Sequence, residues 1–403
     1  MATPGRGHKS YLQLVPEAAY GTKVTAATRR FEIISMDIHP EMGVIEDPSL
    51  NNQASRRAVF QGGLIFKGSF VVRANYEGME ELLRGTMGTA TLSSAVDAGS
   101  SLSVTTASST TITSSALFGS VTVGMGVTGS GIPINTVVTA VATTSSLTIS
   151  NAATNSTTAA RVFGAVNDYT FTENPTLKSY SIQLIEGAPQ DVTTCNTVYG
   201  AYLTGLTIRG SAGQGADAMF QCEFSVLGKA RDIGDTTTTG LIPAPPAPIL
   251  FHQGLTVDPG TFSTDTSSTT RVRSIELAIV SPHTEDRFYV GSQNADQPIR
   301  NDFLTAKYTI QMEYLTNTAS TRLAAGTVVD PQFIFRGAQV GASAFREFEF
   351  RSGTAIIDSV SQPVSGYGVI LQTVTLNSYN DGTGDASCVA IRVRNGYQTI
   401  ALP

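Results

Sequence analysis

Gln61–Gly88 reads QGGLIFKGSFVVRANYEGMEELLRGTMG. Leu64, Phe66, Phe70, Val72, Ala74 and Tyr76 share one parity, and Lys67, Ser69, Arg73 and Asn75 share the other. Alternation at period two over this length predicts a long, half-buried β-strand. Ile65 and Val71 interrupt the polar face, so parts of that face are expected to touch a neighbour. After Tyr76 the period changes: Met79, Leu82 and Leu83 fall at i, i+3 and i+4 in a run rich in Glu. That spacing predicts a short amphipathic helix, with acids in its first turn and Gly85 near its end.

The same unit recurs. Asp302–Tyr314 (DFLTAKYTIQMEY) lays onto Leu64–Tyr76, so that Leu304, Tyr308, Ile310, Met312 and Tyr314 meet Phe66, Phe70, Val72, Ala74 and Tyr76. A second helix is predicted over Asn317–Ala325, closed by Gly326. Upstream of each copy lies a predicted strand, Phe31–His39 and Arg273–Val280. A long polar excursion follows each, Pro40–Phe60 and Ser281–Asn301. Irregular stretches of roughly twenty residues inside compact domains tend to be functional. Downstream, strands are predicted at Asp168–Phe171, Tyr180–Ile185, Ala201–Arg209 and Ala218–Leu227. In the second copy they fall at Phe345–Arg351, Gly368–Leu376 and Ser387–Val393. The pair joined by Gly210–Ala216 is matched with the pair joined by Asn377–Ala386.

The expected fold is mainly β. It comprises two homologous antiparallel β-sandwich or barrel-forming domains, each with one short α-helix. Residues 1–88 and 165–240 form the first and 256–403 the second, with a proline-rich, semi-rigid linker over 241–255 (Leu241–Leu250 is LIPAPPAPIL). Residues 89–164 are Ser/Thr-rich and have no counterpart in the second copy. They are expected to form a small all-β insertion, with strands such as Thr111–Thr113, Ser120–Val123, Thr136–Val141 and Ser146–Ile149, projecting outward.

Composition bounds the function. With 403 residues, 41% hydrophobic, 38 Gly and 17 Pro, the chain suits two or three domains of short strands and many turns. A net charge of −6 does not suit a protein that grips nucleic acid by neutralising phosphates. It is compatible with one that lets nucleic acid pass without sticking. Cys195, Cys222 and Cys388 are odd in number and far apart, without disulfide or zinc spacing. Neither a signal peptide nor a membrane-spanning run is visible, so the chain is expected to fold in a cytoplasm.

Chemical motifs are weak. Gly124, Gly126 and Gly129 spell G-x-G-x-x-G, but Ile132-Pro133 and a strand-like run follow where a dinucleotide site needs a helix. His8, His39, His252 and His283 are too scattered for a metal site or a triad. Asp235, Asp286 and Asp330 fall in polar loops. The expectation is a protein that is not an enzyme, with no cofactor.

Taken together, Glu17–Thr22 (EAAYGT), QGGLIFKGSFVVR, YEGMEELLRG and FQCEFSVLGKA resemble the major tail tube proteins of long-tailed, non-contractile bacteriophages. The likeness covers roughly residues 10–88 and 168–231. The second half is similar by pattern alone, and the insertion and duplication depart from the family.

The resemblance implies a structural subunit of the virion tail, made in the host bacterial cytoplasm. It would stack in rings to form a hollow conduit for DNA ejection. The implied partners are copies of itself, the tape measure, terminator and tip proteins, and DNA passing without specific binding. Two tube domains per chain imply three chains in a pseudo-hexameric ring. The implied lumenal residues are Lys67, Ser69, Arg73, Asn75, Thr305, Lys307, Thr309, Gln311 and Glu313, with Gln183, Gln221, Glu223, Glu347 and Glu349 joining them. The long loops would reach the adjacent ring through Glu46, Asp47, Arg56, Arg57, Glu285, Asp286 and Arg287. Another virion β-protein, a tail-terminator or head-decoration subunit, is the alternative.

Overall fold

A computed structural model describes residues 7–47, 59–97, 99–115, 118–119, 121–123, 125–133, 136–187, 193–241, 247–260, 271–340, 344–364, 367–380 and 388–396. The fold is mainly β, with antiparallel strand pairs and two short helices. The first half runs β1 (Tyr11–Pro16), β2 (Arg29–Phe31), β3 (Ile33–Glu46), β4 (Val59–Arg73), α1 (Glu80–Met87) and β5 (Gly88–Asp97). Six short strands follow: β6 (Ser100–Thr106), β7 (Thr111–Thr113), β8 (Val127–Thr128), β9 (Val138–Thr143), β10 (Ser146–Ile149) and β11 (Thr158–Phe163). Then come β12 (Val166–Glu173), β13 (Tyr180–Ile185), β14 (Thr194–Ser211), β15 (Gln221–Gly228) and β16 (Ala230–Thr236). The second half holds β17 (Gly254–Asp258), β18 (Val272–Val280), β19 (Thr305–Glu313), α2 (Thr318–Ala325), β20 (Val328–Val329) and β21 (Gln332–Gln339). It closes with β22 (Phe345–Arg351), β23 (Ala355–Ser361), β24 (Leu371–Ser378) and β25 (Ala390–Asn395).

Eight strands from both halves pair edge to edge in the order β3-β4-β15-β14-β18-β19-β24-β23. Register carries side chains across them in unbroken rows. One apolar row runs Ile33, Val72, Cys222, Ile208, Leu277, Tyr308, Leu376, Ile357. The next polar row runs Arg73, Gln221, Arg209, Glu276, Thr309, Thr375, Ser359. Alternation along each strand thus becomes one apolar and one polar face of a single sheet. β14 is long enough to serve two sheets, because its first part also pairs with β13 and β16, and β13 continues to β1 and β2.

The apolar face packs on a second sheet, β17-β21-β22-β25-β12-β5, also built from both halves. Tyr308 stacks on Phe333 and Phe350 with ring centroids 5.8 and 6.4 Å apart, and Phe220 meets Phe335 edge-on at 4.6 Å. The core is therefore continuous across the two halves. On the second sheet a row of alternating charge, Asp168, Arg394, Glu347, Arg336, crosses the same divide. Arg394 lies 3.1 Å from Asp168 and 2.7 Å from Glu347.

The repeat is real at the level of topology, but one of its matches shifts. β3–β4 corresponds to β18–β19, with Met36 opposite Phe70 as Leu277 is opposite Tyr308. β15 pairs with β4 as β24 pairs with β19, and α1 packs on β14 as α2 packs on β23. The counterpart of the β14–β15 hairpin is therefore β23–β24. The expected match to Gly368–Leu376 and Ser387–Val393 fails, because β25 leaves for the second sheet.

Three further expectations are corrected. Pro40–Phe60 is not a loop at its ends: β3 continues to Glu46 and β4 starts at Val59, giving a long hairpin. The linker is not free near its end: Ile249 is fully buried, its amide donating to the Ala74 carbonyl and its carbonyl accepting from Phe220. Residues 89–97 belong to the main body, since β5 pairs with β12. Ser281–Asn301 stays irregular as expected.

Beyond residue 99 the insertion is an independent layer. β8-β11-β6-β7-β10-β9 form a sheet around its own core, including Val104, Ile112, Phe118, Leu147 and Phe163. Val121–Val123 forms no strand, and the strand expected at Thr136–Val141 is β9, shifted toward Thr143.

Candidate functional site

Three surfaces stand out: the polar face of the eight-strand sheet, the tips of its long loops, and its two open edges. The polar face follows from strand parity. Lys67, Ser69 and Arg73 on β4 alternate with buried Phe66, Phe70 and Val72, and Thr305, Lys307, Thr309 and Gln311 on β19 alternate with buried Ala306, Tyr308 and Ile310. Gln221 and Glu223 share this face.

Charges on it are mutually balanced. Arg209 lies 2.9 Å from Glu223 and 3.2 Å from Glu276, Arg73 lies 3.6 Å from Glu32, and Lys307 lies 3.7 Å from Asp358. Lys67 reaches Glu285 at 2.5 Å and Glu41 at 3.1 Å, and these bonds raise its pKa.

Some residues expected on this face are covered or lie elsewhere. Asn75 sits past the end of β4, where it lines a cleft. Glu313 is nearly covered by Arg271 and Arg273, whose hydrogen bonds hold its carboxyl below the usual carboxylate range. Gln183 is buried on β13 and donates to the Thr25 carbonyl. Glu347 and Glu349 belong to the charge network of the second sheet.

The loop tips are more apolar than the sequence suggested. Arg56 and Arg57 lie outside the described residues. Asp47 follows the end of β3, and Glu46 opposes Val59 in the hairpin. The 281–301 loop folds back on that hairpin: the Leu64 amide donates to the Gln293 carbonyl at 2.8 Å, and Gln293 Nε2 donates to the Gly62 carbonyl at 3.1 Å. Gly63 allows this contact, because a Cβ there would fall 2.5 Å from the Phe288 ring. Glu285 is drawn to Lys67, Arg287 donates to Gln297 and Tyr289, and Asp286 stays exposed. Between them the hairpin and loop expose Val44, Ile45, Val59, Phe60, Phe288, Tyr289 and Val290. Sequence alternation hinted at none of this, since these residues fall in stretches read as polar.

The open edges are β3, which among the described residues pairs only with β4, and β23, which among them pairs beyond β24 only with the two-residue β20. Two clefts flank β3. One of about 320 Å³ is lined by residues including Arg29, Arg30, Phe31, Ile34, Arg73 and Asn75. The other, about 420 Å³, is lined by residues including Gly7, Ile34, Met36, Ile38 and Leu184.

Acid groups near α1 are buried and engaged. Glu77 accepts from Arg346 at 2.6 Å, Glu80 accepts from Asn395, and Glu81 accepts from the Tyr180 hydroxyl at 3.0 Å. These are clamps between elements. His283 stacks on Tyr202, and Asp235 is paired with Lys23 at 2.7 Å rather than solvated. Among the described residues no group of three or more His, Cys, Asp or Glu is placed to hold a metal ion, and no helix is long and apolar enough to cross a membrane. No protein-family model matches the chain, and no curated protein matches it.

Proposed function

We propose that this protein is a structural subunit of a virion tail tube, stacking in rings to form a hollow conduit for DNA. The observation that carries the reading is the unfinished eight-strand sheet, with one polar face and one apolar face; among the described residues β3 is unpaired on its outer side and β23 is covered there only at Ala355–Ile356 by β20. Each half contributes four strands, β3-β4-β15-β14 and β18-β19-β24-β23, in the same arrangement. Joined end to end, three chains supply six such units, and a closed barrel leaves no strand edge exposed. The polar parity, Lys67, Ser69, Arg73, Thr305, Lys307, Thr309 and Gln311, would then line the lumen, and its paired charges would let DNA pass without a continuous basic track. The apolar tips at Val44, Phe60 and Val290 would meet the next ring, and tape measure, terminator and tip proteins would contact the tube's interior and ends.

Negative-stain imaging of concentrated pure protein, with mass per unit length, tests this. Hollow cylinders with three chains per ring are expected. Single closed rings that never stack would favour a terminator-like subunit, and six chains per ring would remove the pseudo-hexamer.

A further inference from the structure

The joint that the chain makes with itself offers a template for the joint it makes with its neighbour. Inside the chain, β14 of the first unit pairs with β18 of the second: Leu206 opposes Ile279, Ile208 opposes Leu277 and Arg209 opposes Glu276. The counterparts of these strands are the two open edges. Leu206 and Ile208 oppose Phe224 and Cys222, as Ile357 and Val360 oppose Leu376 and Val374, so β23 stands where β14 stands. Leu277 and Ile279 oppose Tyr308 and Ala306, as Met36 and Ile38 oppose Phe70 and Gly68, so β3 stands where β18 stands.

Burial marks both edges as incomplete. In the internal joint Ile208, Ile275 and Leu277 are at most 1% exposed. Their counterparts Val360, Ile33 and Met36 are only partly covered, although each packs on the same core. Ile34 is 55% exposed beside the two clefts.

The hairpin tips give a second observation. After β14, the Ala212 amide donates to the Arg273 carbonyl at 2.6 Å, laying the β14–β15 tip over the start of β18. Among the described residues the β23–β24 tip makes no comparable bond to a further strand, and Val364, Tyr367 and Val369 stand 74%, 111% and 68% exposed. At the start of β3 lies the cleft holding Arg29, Arg30 and Phe31. Arg29 is 6% exposed; it feels the charges of Glu81 and Glu80, yet its one hydrogen-bond acceptor among the described residues is the Thr28 carbonyl at 3.5 Å. Arg30 Nε and Arg73 Nε are buried without a hydrogen-bond partner among the described residues. Buried donors of this kind call for acceptors, and a hairpin tip carrying a tyrosine brings carbonyls, a hydroxyl and an aromatic face that suits arginine.

We propose that the joint between chains copies the joint within the chain. β23 pairs antiparallel with β3 of the next copy, Ile357 opposite Ile38, Val360 opposite Met36 and Ser361 opposite Ser35, and the β23–β24 tip with Tyr367 seats in the cleft beside Arg29 and Arg30. This rests on the self-associating ring reading and specifies its register.

Ser35 and Ser361 are both exposed, so the S35C/S361C double variant tests the register under mild oxidation. Directly opposed Cα atoms fall in disulfide range, and a covalent ladder that stops at three chains is expected. D37C/S361C, displaced by two residues, should link far less. Y367A should leave the monomer's melting unchanged and raise the concentration needed for assembly about tenfold. Tubes that form without S35C–S361C linkage, or that link equally in the displaced variant, overturn the joint while leaving the tube reading intact. Y367A assembling like the wild type removes the tip from the cleft. A wild-type chain that stays monomeric at high concentration overturns both.

Discussion

Arg346 Nε donates to Glu77 Oε1 across 2.6 Å, joining the turn before α1 in the first half to β22 in the second. Both groups are shielded, with Glu77 side-chain exposure at 1% and Arg346 at 16%. Burial raises the Glu77 pKa, and the arginine pulls it back down.

Replacing Arg346 with Met would leave that carboxylate buried without its partner. Breaking such a pair costs about 3–5 kcal/mol, because the remaining charge is uncompensated. The sign with pH follows from the raised pKa. The folded state of R346M favours the neutral acid, so its stability is greatest below the unfolded carboxylate pKa and falls as pH rises through the folded value. Urea midpoints at pH 7.5 and pH 5 check this. The gap between R346M and wild type should shrink at pH 5, and an unchanged gap would mean the pair contributes through packing alone. One cooperative transition is expected for both halves, since they share one core.

The insertion can be removed cleanly, but not at the boundary that composition suggests. Asp97 and Val166 are directly opposed at the ends of β5 and β12. A two-residue Asn-Gly turn suits such a pair, so replacing residues 98–165 with Asn-Gly should leave the main body folded and able to assemble. Cutting at 89–164 instead would strip an edge strand from the second sheet and should destabilise the chain. Thermal melts and electron micrographs of the two deletions separate these outcomes. Failure of the 98–165 variant to assemble would give the insertion a part in the wall.

The alternation that made β4 and β19 legible is a direct consequence of half-burial, and so was the change of period at Met79. Which strand pairs with which is not written in periodicity. The β14–β18 joint brings Ile208 to Leu277 across a long stretch of chain, and neither sequence announces the other. β23 went unseen because a register shift between Ile357 and Ser359 puts Ile357 and Val360 on one face at a spacing of three. Pro40 and Gly43 read as loop residues, although an edge strand accommodates a missing amide. Among site residues, parity placed those on β4 and β19 together. It could not show that Glu313 would be capped by two arginines or that Glu285 would fold back onto Lys67.

The loop tips invite a test of what would hold the proposed rings together. Val44, Phe60 and Val290 are 59%, 58% and 107% exposed. Burying side chains of this size is worth about 1.5–3 kcal/mol each, whereas an exposed ion pair is worth about 0–1 kcal/mol. V44D/V290D should therefore shorten tubes sharply while leaving single rings intact. Separately, E285K should disturb the Lys67 contact with a smaller effect on length. Length distributions by electron microscopy check both, and tubes of wild-type length in V44D/V290D would exclude the apolar tips from stacking.

The polar face yields the prediction closest to the proposed function. Arg209 is neutralised from both sides, by Glu223 at 2.9 Å and Glu276 at 3.2 Å, in a row that crosses the sheet. Replacing both acids with lysine would put three cations on neighbouring strands and repeat that patch in every chain of the proposed tube. All three side chains are partly exposed, so the exchange should cost little folding stability. The change should appear as adhesion: short DNA retained by E223K/E276K tubes at low salt and released as salt rises, the logarithm of affinity falling by about 0.7–0.9 per phosphate contacted for each unit of log salt. Wild-type tubes should retain little DNA under the same conditions. Fluorescence anisotropy of a labelled oligonucleotide over a salt series measures both. Equal retention by the two proteins would show that this face is closed to DNA, and the polar parity would need another explanation.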